Sequence, residues 1–121
     1  MAESENSKPF DLQDRTLVFA KQVLALVKAL PKTLANTEDA KQLVRASGSV
    51  GADCVEANDA LGKKDFGMRV EICRKEAKEC GYWLNLVNVQ GTQDLERHRD
   101  SLIRDATELT SIFPAIVGKS E

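Results

Sequence analysis

Residues 66–87 read Phe66-Gly67-Met68-Arg69-Val70-Glu71-Ile72-Cys73-Arg74-Lys75-Glu76-Ala77-Lys78-Glu79-Cys80-Gly81-Tyr82-Trp83-Leu84-Asn85-Leu86-Val87. Within this stretch Phe66, Val70, Cys73, Ala77, Cys80, Leu84 and Val87 recur at alternating steps of four and three. That spacing is the apolar seam of a helix packed lengthwise against other helices. A strand places its side chains on alternate faces every two residues and does not produce it. The ladder therefore sets the architecture, and it carries no chemistry.

Three further helical segments surround it. The first is expected over residues 12–30, with Asp11 as N-cap and Pro31 at its end. Its seam is Leu12, Phe19, Val23, Leu26 and Leu30, and a second seam lies beside it at Leu17, Ala20, Leu24 and Val27. Two seams give an apolar arc wider than one neighbouring helix covers. The second helix is expected over residues 37–60, capped by Asn36 and followed by Gly62. Gly48 and Gly51 lie within its middle, where each costs about 1 kcal/mol relative to alanine. Close approach of another helix explains that cost, and a break or kink is the alternative. The ladder helix is expected over 64–89, ending at Gln90-Gly91. The fourth helix is expected over 93–113 with Thr92 as N-cap. Its seam is Leu95, Leu102, Ala106, Leu109 and Phe113, and Pro114 should kink or end it near Phe113.

Helices of this length joined by short turns favour antiparallel neighbours. The expected fold is all-α, an antiparallel up-down-up-down four-helix bundle over residues 11–117, preceded by a loose acidic tail over 1–10. The chain has 121 residues, enough for one modest core. Aromatics are only 5%, so that core must be largely aliphatic. A net charge of -2 gives no general attraction to nucleic acid. No apolar run approaches the roughly 20 residues that span a bilayer, and the polar start Met1-Ala2-Glu3-Ser4-Glu5 is unlike a secretory signal. The expected compartment is the cytosol. The three cysteines, Cys54, Cys73 and Cys80, fall on apolar faces and read as small buried hydrophobes.

Catalytic arrangements are scarce. The single histidine, His98, sits among charges in Glu96-Arg97-His98-Arg99. A carboxylate-bridged metal pair in a bundle needs Glu-x-x-His on two helices, and the chain has none. There is no phosphate-binding loop, paired-cysteine zinc pattern or dinucleotide glycine fingerprint. No catalytic residue, metal, cofactor or small-molecule substrate is assigned.

Two polar groupings remain. On the ladder helix, Ile72, Glu76, Glu79, Trp83 and Leu86 form a second stripe, and on the helix before it Arg45, Ser49, Ala52 and Glu56 share a face. Arg45 is expected to pair with Glu76 or Glu79 in a buried network that also includes Glu56 and fixes register; solvated side chains are the alternative. Leu17, Leu24, Val27 and Trp83 are expected at an interface between copies of the chain. Lys63, Lys64, Arg69, Arg74, Lys75 and Lys78 cluster on the ladder helix, with Arg97, Arg99 and Arg104 as a second group, all interleaved with acids. A mixed-charge solvated face is one reading. A nucleic-acid contact repeated around a ring of subunits is the other.

Several stretches carry a family resemblance. They are Asp14-Arg15-Thr16 to Phe19-Ala20, Gln42-Leu43-Val44-Arg45-Ala46-Ser47-Gly48-Ser49-Val50-Gly51-Ala52, Glu56-Ala57, Lys64-Asp65-Phe66, Glu76-Ala77-Lys78-Glu79 and Tyr82-Trp83-Leu84. In order and spacing they resemble the 23S ribosomal-RNA intervening-sequence family, also called the four helix bundle protein or S23 protein family. The resemblance spans residues 11–113. It implies a cytosolic antiparallel bundle that assembles into a homopentamer, with no catalytic residues. Some members of that family are encoded inside intervening sequences of 23S rRNA genes. Related accessory proteins of retroelements form pentameric barrels that bind a reverse transcriptase and its RNA. The resemblance makes Arg45, Glu56, Asp65, Phe66, Glu79 and Trp83 structural or interface positions, and Asp53 stands where many members have asparagine. The function expected is a non-enzymatic, homo-oligomeric scaffold or adaptor with self, and RNA or a protein, as partner; an RNA- or DNA-binding ring is the alternative.

Overall fold

In the computed structural model, described over residues 11–60 and 62–120 with side chains over 12–60 and 62–113, the chain forms four helices. These are α1 (Asp11–Ala29), α2 (Leu34–Asn58), α3 (Lys63–Leu86) and α4 (Gln93–Ser120). The expected tail over residues 1–10 lies outside the described residues. Each helix packs on its chain neighbours, and α1 closes against α4 in the lightest of the four contacts. Cross-helix pairs set the directions. Arg15 near the start of α1 meets Glu108 just past the middle of α4, Gln22 further along α1 meets His98 near the start of α4, and Arg69 early in α3 meets Glu56 late in α2. The arrangement is the antiparallel up-down-up-down bundle that the short connections require.

The core follows the ladders. Val70, Cys73, Ala77, Cys80 and Leu84 of α3 are buried against Phe19, Val23 and Leu26 of α1, Leu43, Ala46 and Val50 of α2, and Leu102, Ala106, Leu109 and Phe113 of α4. Leu30, Val87 and Val89 form a second, smaller cluster at the end of the bundle where α1 and α3 stop. All three cysteines are free and buried within the main core. Burial pushes the thiols of Cys73 and Cys80 up to about 12. They stay protonated and unreactive at neutral pH, as small core hydrophobes do.

The helix ends correct several sequence-based expectations. Asp11 is the first helical residue of α1, not a flanking cap. The N-cap of α2 is Thr33, whose hydroxyl accepts from the Asn36 N–H at 3.1 Å. Asn36 lies one turn inside the helix, and its buried side chain does different work. Its Nδ2 donates to the carbonyls of Pro31 (3.1 Å) and Asn88 (2.9 Å), and its Oδ1 accepts from the Asn88 N–H (2.9 Å). One amide thus ties the α1–α2 connection to the α3–α4 connection. Gly62 is the N-cap of α3, and α2 already ends at Asn58 with Asp59 as C-cap. Helix α3 stops at Leu86, and Gln90 and Gly91 turn the chain with positive φ.

Pro114 does not end α4, which continues to Ser120. A proline ring fixes φ close to the helical value and removes a single backbone donor. The buried seam Leu102, Ala106, Leu109, Phe113 holds the helix on the bundle up to that point. Helix α2 also runs unbroken through Gly48 and Gly51. A Cβ at Gly51 would lie 3.4 Å from Thr16 Oγ1, so α1 does approach there, at ordinary contact distance. A Cβ at Gly48 would meet nothing within 4 Å. Gly48→Ala is therefore expected to stabilise the single chain by about 0.5–1 kcal/mol, read as a higher urea midpoint at unchanged slope; a loss of stability would contradict the open surroundings of Gly48.

Candidate functional site

Helix α1 exposes several large apolar side chains. The buried seam of α1 faces inward, and the second seam does not. Leu17 remains 53% exposed and Leu24 44% exposed, with Val18 exposed beside them. Val27, the fourth member of that seam, packs partly on the core. Beyond it the seam runs into a cleft of about 510 Å³ between the end of α1 and the start of α2. Val27, Pro31, Ala40 and Val44 line the cleft, together with Lys32 and Arg45. No acid occurs anywhere from Arg15 to Thr37. The α1 ridge is therefore apolar and basic: Leu17, Lys21, Leu24 and Lys28 follow one another at helical spacing and all are exposed.

A second surface of opposite character lies on α3 beside α2. Ile72, Glu76, Glu79, Trp83 and Leu86 recur at steps of four and three along it. Ile72 is 41% and Leu86 48% exposed. Trp83 packs partly on the core and stacks edge-on with the exposed Tyr82, ring centres 5.0 Å apart. Of the four residues expected at an interface, Leu17 and Leu24 lie open to solvent, whereas Val27 and Trp83 are shared between the core and the surface.

The expected pairing of Arg45 with Glu76 or Glu79 is not formed. Arg45 is exposed and donates to Gln42 Oε1 (3.2 Å), one turn back on its own helix. A local partner orders fewer side-chain rotamers than a reach across the groove. Glu56 instead faces Arg69, at 4.0 Å, and Arg69 also pairs with Asp65 at 3.5 Å. These ion pairs are largely solvated and contribute about 0–1 kcal/mol each. Glu76 is left in an unusual position. Its Oε1 is buried and has no donor among the described residues. Burial, then the neighbouring Glu79, push its carboxyl above the usual carboxylate range; Arg45 lies near enough to oppose this in part. Burial likewise pushes the Asp53 carboxyl up, against the pull of Arg69.

A carboxyl raised in the folded chain favours folding in its neutral form. Its contribution is complete below the unfolded value and is lost as pH rises through the folded value. In dilute, single-chain form, Glu76→Gln is therefore expected to melt higher than the parent at pH 7. The gain should vanish near about pH 4, where the unfolded carboxyl is itself protonated. A gain independent of pH, or a loss at pH 7, would contradict the orphaned carboxyl.

Of the six cations assigned to nucleic acid on α3, two are engaged by carboxylates: Arg69 as above, and Arg74 with Glu71 at 3.6 Å. Lys63, Lys64, Lys75 and Lys78 are exposed on the outer face. On α4, Arg97 pairs with Asp94, and Arg99 with Asp100 while also donating to the backbone carbonyl oxygen of Val87 at 3.4 Å. His98 donates from Nε2 to Gln22 Oε1 at 3.0 Å and joins α4 to α1. Of these residues, Arg99 and His98 reach beyond their own helix, to the end of α3 and to α1. Among the described residues no cluster of His, Cys, Asp and Glu is arranged to hold a metal ion, and no helix is long and apolar enough to cross a membrane.

Comparisons with known proteins agree with the four-helix bundle. No curated protein matches the chain. A solved structure from Bacteroides thetaiotaomicron, described as a protein of unknown function from the S23 ribosomal protein family, superposes with a TM-score of 0.74 at 29% identity. The match covers 91% of this chain and 97% of that one. Neither comparison indicates an enzymatic family. Residues 8–114 match the family model described as 23S rRNA-intervening sequence protein, and the chain belongs to that family.

Proposed function

We propose that this protein is a non-enzymatic scaffold or adaptor in the cytosol that works as an assembly of identical copies, with five as the subunit number. The observation that carries the reading is the exposed second seam of α1. Leu17 and Leu24 stand in water on a basic ridge that leads into an apolar cleft. Apolar patches of this kind on small soluble domains mark interaction sites. Covering them by a copy of the same chain removes the patch without requiring another gene product. The bundle supplies closely spaced helices with an exposed apolar ridge, which suits a platform.

The test is the mass in solution. Light scattering of the purified chain should give a particle several times the 13.3 kDa of one copy. Leu17→Asp with Leu24→Asp should reduce it to a single copy that keeps its helical circular-dichroism spectrum. A parent chain of 13.3 kDa at working concentration would overturn the reading.

A further inference from the structure

Two unpartnered surfaces on this bundle match in spacing and oppose in charge. The α1 ridge alternates apolar and basic residues, Leu17, Lys21, Leu24 and Lys28, over about 16 Å of helix at 1.5 Å per residue. The α3 strip sets two successive acids between apolar residues, Ile72, Glu76, Glu79, Trp83 and Leu86, over about 21 Å. Both follow the steps of four and three with which one helix seats along another. They lie on helices that are not neighbours in the bundle, since α1 lies beside α2 and α4 and meets α3 only through the core, so the two surfaces do not cover each other in one chain.

Resting on the scaffold reading above, we propose that the α1 ridge of one copy packs on the α3 strip of a second copy, with Lys21 and Lys28 facing Glu76 and Glu79. Three observations support this choice of occupant. Each surface exposes large aliphatic side chains that association would cover. The ridge sits in a stretch free of acids, so nothing on it repels the strip. Glu76 is only partly covered and its Oε1 has no donor among the described residues, so a turn of the carboxylate towards a neighbour's lysine ammonium gains the partner it lacks. Burial and Glu79 disfavour the ionised Glu76 in the single chain, and an incoming cation reverses that balance.

The contact joins two different patches, so it is heterologous: every copy offers a ridge to one neighbour and a strip to another. Repetition closes a ring or extends a filament, according to the rotation between copies. Opposite charge also sets which surfaces meet, because ridge on ridge places like charges together.

The test uses charge reversal in full-length chains. Lys21→Glu with Lys28→Glu should yield particles of single-copy mass, and so should Glu76→Lys with Glu79→Lys. All four reversals in one chain should assemble again, since every ridge then meets a strip of opposite charge whatever the number of copies in the ring. The single tryptophan, Trp83, gives a second reading inside the strip: its emission should be bluer in the fourfold variant than in either double variant, and should shift to the red when the parent assembly is diluted apart. Double variants that each assemble like the parent would overturn the proposed contact and leave the scaffold reading standing. A fourfold variant that stays at single-copy mass while folded by circular dichroism would also overturn it. A parent that is a single copy throughout would take down the scaffold reading and this inference together.

Discussion

Phe113→Ala is expected to lower the stability of the bundle by about 3–5 kcal/mol, one of the two largest single-residue effects in the molecule. Phe113 is 1% exposed and is among the largest fully buried side chains of a core whose other members are Phe19 and Leu, Val, Ala and Cys side chains. It is also the last seam residue of α4 before Pro114, whose missing N–H leaves the Thr110 carbonyl without its usual helical donor. Truncating it opens a cavity and releases the anchor that carries α4 past the proline. Urea melts at neutral pH should show the loss as a lower midpoint, and the helical signal of residues after 113 should fray first. A loss under about 1 kcal/mol, typical of surface positions, would contradict the packing described for this end of α4.

The second large effect is Asn36→Ala. The side chain makes three hydrogen bonds in a buried position, two to Asn88 and one to Pro31. Alanine leaves the Asn88 N–H and two carbonyls without these partners, and a buried unsatisfied group costs about 1–3 kcal/mol. A total loss of about 3 kcal/mol is expected. Thr33→Ala is the control, because it removes only the N-cap of α2 and should cost about 1 kcal/mol. Equal losses at the two positions would mean that Asn36 does no more than support its own helix end.

Asn36 also shows where the sequence stops being informative. An asparagine ahead of Glu38 and Asp39 looks like a cap, because local capping preferences are all that a single segment displays. Its actual partners lie 52 residues away on the α3–α4 connection, and no local pattern points to them. A signal for the true cap was present nonetheless: Thr33 follows Pro31, where the chain has just left α1.

The core was readable for the opposite reason. Helical spacing is a local property that burial enforces, so Val70, Cys73, Ala77, Cys80 and Leu84, like Phe19, Val23 and Leu26, are buried where the steps of four and three place them. Pro114 illustrates a rule overridden by packing: the preference against helix at a proline is weaker than the burial of the four-residue seam before it. Arg45 illustrates a reach that spacing cannot resolve. Its face places it close enough to influence Glu76, yet a long flexible side chain takes the nearer Gln42.

The surfaces were half legible. The double seam of α1 signalled that apolar residues exceed what one bundle buries, and Leu17 and Leu24 are the exposed excess. The orphaned Glu76 carboxyl was not legible, because whether an acid is solvated or buried depends on how α2 and α3 close over it. Neither was the loss of free charge at Arg69 and Arg74, which depends on rotamers chosen after the helices pack.

Sedimentation equilibrium of the full-length parent chain across a dilution series tests the central claim most directly. Covered apolar ridges require a particle several times heavier than 13.3 kDa that dissociates reversibly on dilution. A single 13.3 kDa species at every concentration would contradict it, because Leu17 and Leu24 would then rest permanently in water.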